Sequence, residues 1–184
     1  MPYDKQTFLK CVTILVDTRE RENRHITGEL DRLGVNHLER KMDFGDYSFE
    51  IAGKDFSLSC VIERKATVDE FYGNLTRDRD RIKKEFAAAS SIAREFVLLI
   101  ERCSTMEELR QYRVPDLDMI RQKRKVQEIG EYCYSTLKSW ECGDRYHFRT
   151  RFLPDPSQTA AAILEEFYWY WRNYKIMTMS RRTR

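Results

Sequence analysis

The chain has 184 residues, of which 41% are hydrophobic and 34% charged; 33 basic against 30 acidic side chains leave a net charge of +3. Seven glycines and four prolines are too few for a fibrous or low-complexity chain, and the near-balanced charge excludes a strongly basic tail protein, so any nucleic-acid partner must be met by local patches. No apolar run approaches the ~20 residues that cross a bilayer, and the N-terminus MPYDKQTFLK lacks the apolar core of a secretory signal, so a cytoplasmic protein without membrane association is expected.

In chain order, VTILVD (12–17) is a short β-branched run and reads as a buried strand. Residues 22–33 read as a helix, with Ile26, Leu30 and Leu33 on one face and Gly34 as its stop. GDYSFEIA (45–52) and SLSCVIE (57–63) read as strands around a hairpin turn at GKDF. Thr67-Val68-Asp69-Glu70 has the form of a capping box opening a helix. An Ala-rich helix follows over about 78–93, then a buried strand, EFVLLIE, at 95–101. Ser104-Thr105-Met106-Glu107 reads as another capping box. Pro115 breaks the chain before a long helix over about 117–140. RYHFRTRF (145–152) alternates as a strand does, and Asp155-Pro156 opens a last helix to about 174. The order β-α-β-β-β-α-β-α-β-α predicts a single α/β domain, a mixed sheet with helices on both faces. It spans 11–174, and a flexible basic tail is expected over 175–184. The five cysteines are scattered and form no CxxC pair, which argues for reduced thiols and against a zinc site.

Three acidic segments fall at strand ends. Asp17 closes the first strand, with Glu20 just beyond it. Asp46 opens the third, after Gly45. Glu63 closes the fourth and is followed by Arg64 and Lys65. If the hairpin turn is centred on Lys54-Asp55, Asp46 and Glu63 face each other, with Cα atoms about 4.5–5.5 Å apart. Two carboxylates that close repel, and a divalent cation removes the penalty by taking an oxygen from each. Lys65, two residues beyond Glu63, projects to the same side, and Arg64 to the other. A lysine there can orient or deprotonate an attacking water, or neutralise charge on a phosphorane-like transition state.

GDY (45–47) followed by VIERKATVD (61–69), with VDTRE (16–20) upstream and Arg81-Ile82-x-x-Glu85 and VLLIE (97–101) downstream, resembles the XPF/Hef-type nuclease domain. The resemblance implies a restriction-endonuclease-like core and Mg²⁺- or Mn²⁺-dependent hydrolysis of DNA phosphodiesters in repair or recombination, on branched, flap or fork DNA. It assigns Asp46, Glu63 and Asp17 as metal ligands, Glu20 as a further active-site acid and Lys65 as the catalytic lysine. Gly45, Arg64 and Asp69 fall on signature positions. Asp69 also suits the first turn of a helix, where a carboxylate meets the macrodipole. Arg81 is a candidate to hold a carboxylate or a DNA phosphate. Arg121, Lys123, Arg124 and Lys125 form the candidate phosphate-binding patch, and Arg181, Arg182 and Arg184 a further basic cluster. These residues include neither a helicase motor nor a tandem helix-hairpin-helix module, so a DNA-targeting partner protein is expected. The alternative is a non-catalytic DNA-binding or scaffold subunit; the acids and the lysine speak for the enzyme.

Phe167-Tyr168-Trp169-Tyr170-Trp171 places aromatics on every side of the last helix. Ala160, Leu164, Phe167, Trp171 and Tyr174 form one stripe for the sheet. Tyr168 and Trp169 lie off it, and need either the 117–140 helix or a second copy of the chain as cover. A homodimer through this helix is expected.

Overall fold

The computed structural model describes residues 4–180, with side chains through 176. The elements are α1 (Lys5–Cys11), β1 (Val12–Val16), α2 (Arg24–Arg32), β2 (Asn36–Glu39), β3 (Tyr47–Ile51), β4 (Lys54–Asp55), β5 (Cys60–Lys65), α3 (Val68–Thr76) and α4 (Arg79–Ile92), then β6 (Glu95–Glu101), α5 (Met106–Gln111), α6 (Asp116–Arg121), α7 (Gly130–Glu141), β7 (Arg149–Leu153) and α8 (Thr159–Ser180). The strands form one mixed sheet in the order β2-β1-β3-β5-β6-β7, with β4 paired to β3. β1–β2, β5–β6 and β6–β7 are parallel; β1–β3 and β3–β5 are antiparallel.

Alternation along the strands splits the core in two. Cys60, Ile62, Val97 and Leu99 pack with α1, α2 and α8 through Phe8, Ile26, Leu30, Leu164 and Phe167. Val61, Phe96, Leu98 and Ile100 face the other way, onto α3, α4, α5 and α7 through Phe71, Phe86, Leu109 and Leu137. A sheet covered on both faces needs apolar residues on both parities of its strands, so β5 and β6 read as continuous apolar runs until their last residues.

The hairpin turn lies two residues earlier than expected. Ile51 pairs with Lys54 around Ala52 and Gly53, both at positive φ, as a tight two-residue turn of the right twist requires. A second turn over Phe56–Ser59 then takes up four residues before β5. Being even, that insertion preserves parity: Tyr47 pairs with Ile62, the register first inferred from a misplaced turn.

Thr67 caps α3 by accepting from the Glu70 N–H, and the Glu70 carboxylate accepts from the Ala66 N–H, a complete capping box. The second box closes on Thr105 and Glu108, one residue later than expected. The long 117–140 helix is two helices. Between them Gln122–Ile129 turns back, tied by the Val114 N–H to the Gln127 carbonyl and by a bridge between Arg113 and Glu128. Gly130 permits the close approach of α7 to α5. A Cβ there would sit 2.3 Å from the Leu109 carbonyl oxygen. The last strand begins at Arg149 rather than 145, and α1, capped by Asp4, had no sequence assignment. The last helix continues past 174 to Ser180, so helix replaces the first part of the expected tail. Arg181, Arg182 and Arg184 lie outside the described residues. All five cysteines are free thiols, and no described helix is long and apolar enough to cross a membrane.

Candidate active site

The expected site lies where β3 begins and β1 and β5 end. The Asp17 N–H donates to the Asp46 carbonyl, and the Asp46 N–H to the Ile62 carbonyl, both at 2.8 Å. Asp46 comes one residue before the Tyr47–Ile62 pair, close enough to Glu63 for the two charges to repel. Its Oδ2 accepts the Arg64 N–H at 2.7 Å, which turns the carboxylate back over β5. Gly45, at φ +74°, makes this approach possible. A Cβ on it would lie 3.1 Å from the Val61 Cβ and 3.3 Å from the Ile62 carbonyl oxygen, so an alanine there would be both strained and crowded.

Asp46, Glu63 and Lys65 open onto one cavity of about 220 Å³, shared with Glu20, Glu70, Arg81 and Glu85. Lys65 Nζ donates to Glu63 Oε1 at 2.7 Å and lies 3.8 Å from Glu70. Burial works against the Lys65 ammonium, but Glu63, Asp46 and Glu70 outweigh it and hold its pKa above the ordinary lysine value. Burial, then the charge on Glu63, pushes the Asp46 carboxyl well above the usual carboxylate range. Burial likewise raises Glu20, against the pull of Arg64. Raised carboxyls beside a cationic lysine mark a site that concentrates negative charge at an energetic cost.

Among the described residues, no group of three or more His, Cys, Asp or Glu side chains is arranged to hold a metal ion alone. Two nearby carboxylates opening on one polar cavity do fit Mg²⁺ or Mn²⁺, which complete their shells with water and phosphate oxygens. The expected third ligand is placed elsewhere. Asp17 Oδ1 accepts from the Arg19 N–H and Nε, and Oδ2 from Arg19 Nη2 and the Met42 N–H. Those bonds outweigh burial and lower its pKa. With every contact spent on the loops after β1 and β2, Asp17 does not line the cavity.

Asp69 also lies outside the lining. It accepts from the Tyr112 hydroxyl and pairs with Arg124, tying the segment around α6 to α3. Arg124 is thus largely committed, and the exposed cations of the expected phosphate-binding patch are Arg121, Lys123 and Lys125. Arg81 reaches the cavity rim from α4, 61% exposed, with Glu85 at 3.7 Å and Asp78 at 3.9 Å. The Arg64 side chain leaves β5 on the face opposite Glu63 and Lys65, as parity demands, is 4% exposed, and still contributes to the cavity lining. It is held by Glu101 and Glu20. Sequence reasoning had not singled out Glu70, Glu101 or Glu85 as site acids. Glu70 was visible as the capping-box acid, and Glu101 as a charge closing a wholly apolar strand.

The model of the ERCC4 domain matches residues 16–165, which contain every acid and lysine of the cavity. The sequence matches no curated protein. Among solved structures the chain is similar to XPF from Aeropyrum pernix, at 20% identity over 86% of this chain and 61% of that one, with a TM-score of 0.58. It is similar also to XPF from Aeropyrum pernix in complex with DNA, at 21% identity over 88% and 66%, again at 0.58. The chain thus spans 61% of the length of the first, and the likeness establishes a shared fold. With four-fifths of its length matched by the family model, the chain belongs to the ERCC4 domain family.

Proposed function

We propose that the chain is a divalent-cation-dependent DNA endonuclease. The observation that carries this reading is Asp46 and Glu63 lining one cavity at the strand ends, close enough to repel, with Lys65 bonded to Glu63. The A. pernix relative was captured with DNA, which supports DNA as the substrate. Asp46 and Glu63 would hold the cation. When bound, Mg²⁺ or Mn²⁺ supplies Lewis-acid polarisation of the scissile phosphate and relieves the repulsion between the two carboxylates.

The chain's own groups do the rest. Lys65, kept an ammonium by its neighbours, donates rather than accepts protons. With one N–H committed to Glu63, it has others to orient the attacking water and a phosphate oxygen. Glu20 lines the cavity with a raised pKa, and is the acid placed to accept the water's proton as its oxygen attacks phosphorus. The leaving oxygen then departs with the bonding pair and takes a proton from solvent. Asp17 acts on this arrangement indirectly, by locking Arg19 and the Met42 backbone. Arg121, Lys123 and Lys125 contact phosphates along the duplex.

The preferred substrate is branched, flap or fork DNA, in repair or recombination inside the cell. The working form is a homodimer built on α8. Phe8 of α1 packs edge-on against Tyr168, so α1 supplies intrachain cover on that side, where the 117–140 helix had been the alternative to a second copy of the chain. Trp169 remains 47% exposed beneath the Arg172 guanidinium and is the anchor of the shared face. Cleavage of duplex, flap, fork, splayed-arm and single-stranded DNA with Mg²⁺, Mn²⁺ or EDTA tests the reading. Cutting of branched forms with either metal and none in EDTA is expected. Uncut DNA under every metal condition would leave the non-catalytic subunit in its place.

A further inference from the structure

We propose that Glu101 is a positioning residue for cleavage: from the opposite face of the sheet it fixes the Arg64 guanidinium, which fixes the Glu20 carboxylate in the cavity. The inference rests on the nuclease reading and deepens it.

Glu101 is the last residue of β6 and 1% exposed. It shares the parity of Val97 and Leu99, and so faces α2 and α8, away from Glu63 and Lys65. Its carboxylate is held from three elements. Arg64 Nε donates to Oε1 at 2.8 Å and Arg64 Nη2 to Oε2 at 2.9 Å. The Thr159 hydroxyl, at the start of α8, donates to Oε1 at 2.6 Å. His25 Nε2, from α2, lies 3.0 Å from the same oxygen. This seat satisfies two of the three guanidinium nitrogens. The third, Nη1, donates to Glu20 Oε1 at 2.8 Å.

A guanidinium is planar and rigid, so a bidentate hold on Nε and Nη2 determines where Nη1 points. Glu20 follows β1 on a loop, and among the described residues its carboxylate bonds to Arg64 alone, whereas Glu101 is anchored at the end of β6, a strand paired on both sides. Position therefore passes from strand to guanidinium to loop acid. Stability alone gives no account of the arrangement, because a buried ion pair is often matched by apolar residues of the same volume. Its distinguishing feature is the third nitrogen, aimed at the cavity. Without the Glu101 charge, the buried Arg64 cation would keep Glu20 as its remaining counter-charge in this network and draw it off the reacting centre.

The test is a double-mutant cycle on the full chain, read by single-turnover cleavage of a flap substrate and by DNA affinity in Ca²⁺. Glu101→Gln keeps the shape and removes the charge. A displacement of order 1 Å in Glu20 should slow cleavage roughly 10- to 100-fold, with affinity unchanged. Glu20→Gln should also be slow. The double variant should be no slower than Glu20→Gln within about threefold, because both changes act at one group. If near-UV circular dichroism shows Glu101→Gln misfolded, Glu101→Asp takes its place; it keeps the counter-charge and shifts the seat by one methylene. Effects that multiply in the double variant, wild-type cleavage by the single one, or parallel losses of affinity and rate would each overturn the assignment and leave the nuclease reading standing. An inert wild type would overturn both.

Discussion

Asp46→Asn should make the metal-free protein more stable while destroying its response to metal. Two carboxylates lining one small cavity, with a separation on the order of 5 Å and an effective dielectric of about 20, repel by about 3 kcal/mol. The Lys65 ammonium attracts the Asp46 carboxylate as well, and this attraction, which asparagine loses, offsets roughly half of that. Asparagine keeps an oxygen to accept the Arg64 N–H, so the net gain is about 1.5 kcal/mol, or about 3–6 °C in Tm for a domain of this size. The sign with pH follows from linkage. The folded state raises the Asp46 pKa above its ordinary 3.8 and so holds the proton more tightly than the unfolded chain. Metal-free wild-type stability should fall as pH rises from that value through the raised one, and Asp46→Asn should show a smaller fall, the part left by Glu20 and Glu85, whose carboxyls are also raised. Mg²⁺ at a hundred times its Kd should stabilise the wild type by about 2.7 kcal/mol and the variant far less. Thermal melts from pH 4 to 8, in EDTA and in Mg²⁺, measure all of this. A variant less stable than wild type in EDTA at pH 7.5, or stabilised equally by Mg²⁺, would refute the carboxylate pair as the cation's seat.

Lys65→Ala should lower the single-turnover rate by about 10²-fold or more, as loss of a preorganised donor does, with metal affinity by calorimetry little changed. Changing Arg121, Lys123 and Lys125 together to Glu should weaken binding to every DNA shape and cut the salt slope by about two to three; titration at several salt concentrations reads both. Gly130→Ala should cost about 2 kcal/mol or more through overpacking against the α5 backbone, seen as a lower urea midpoint with unchanged m-value. Light scattering at micromolar concentration should give twice the chain mass, and Trp169→Ala should return it to the monomer.

Much of this site was legible because parity is robust. Glu63 and Lys65 share a face whatever the turn does, and an even insertion at Phe56–Ser59 kept Tyr47 paired with Ile62, and so Asp46 beside the end of β5, although the turn was misplaced. Arg64, pointing away, was legible as to direction but not destination: its partner Glu101 comes from a parallel neighbour strand, whose register no local pattern fixes. Asp17 illustrates the converse. Its place in the sequence suggested a ligand, but which donors surround it depends on how the loop before β3 folds back, and Met42 and Arg19 claim both oxygens. Asp69 and Arg124 were read as independent candidates, and their pairing needed the chain to turn after α6. That break in the 117–140 helix was hidden because Gln122–Gln127 is polar or charged apart from Val126, with no apolar period to lose. α1 was missed for the same reason: a short polar helix whose one buried residue, Phe8, gives no period.

The most direct test of the central claim is the single-turnover cleavage rate of one flap substrate in Mg²⁺, for the wild type and Asp46→Asn side by side. Loss of a metal ligand worth several kcal/mol of transition-state stabilisation predicts a rate at least ~10³-fold lower, with DNA affinity in Ca²⁺ preserved. Cleavage by the variant within tenfold of the wild type would contradict the account.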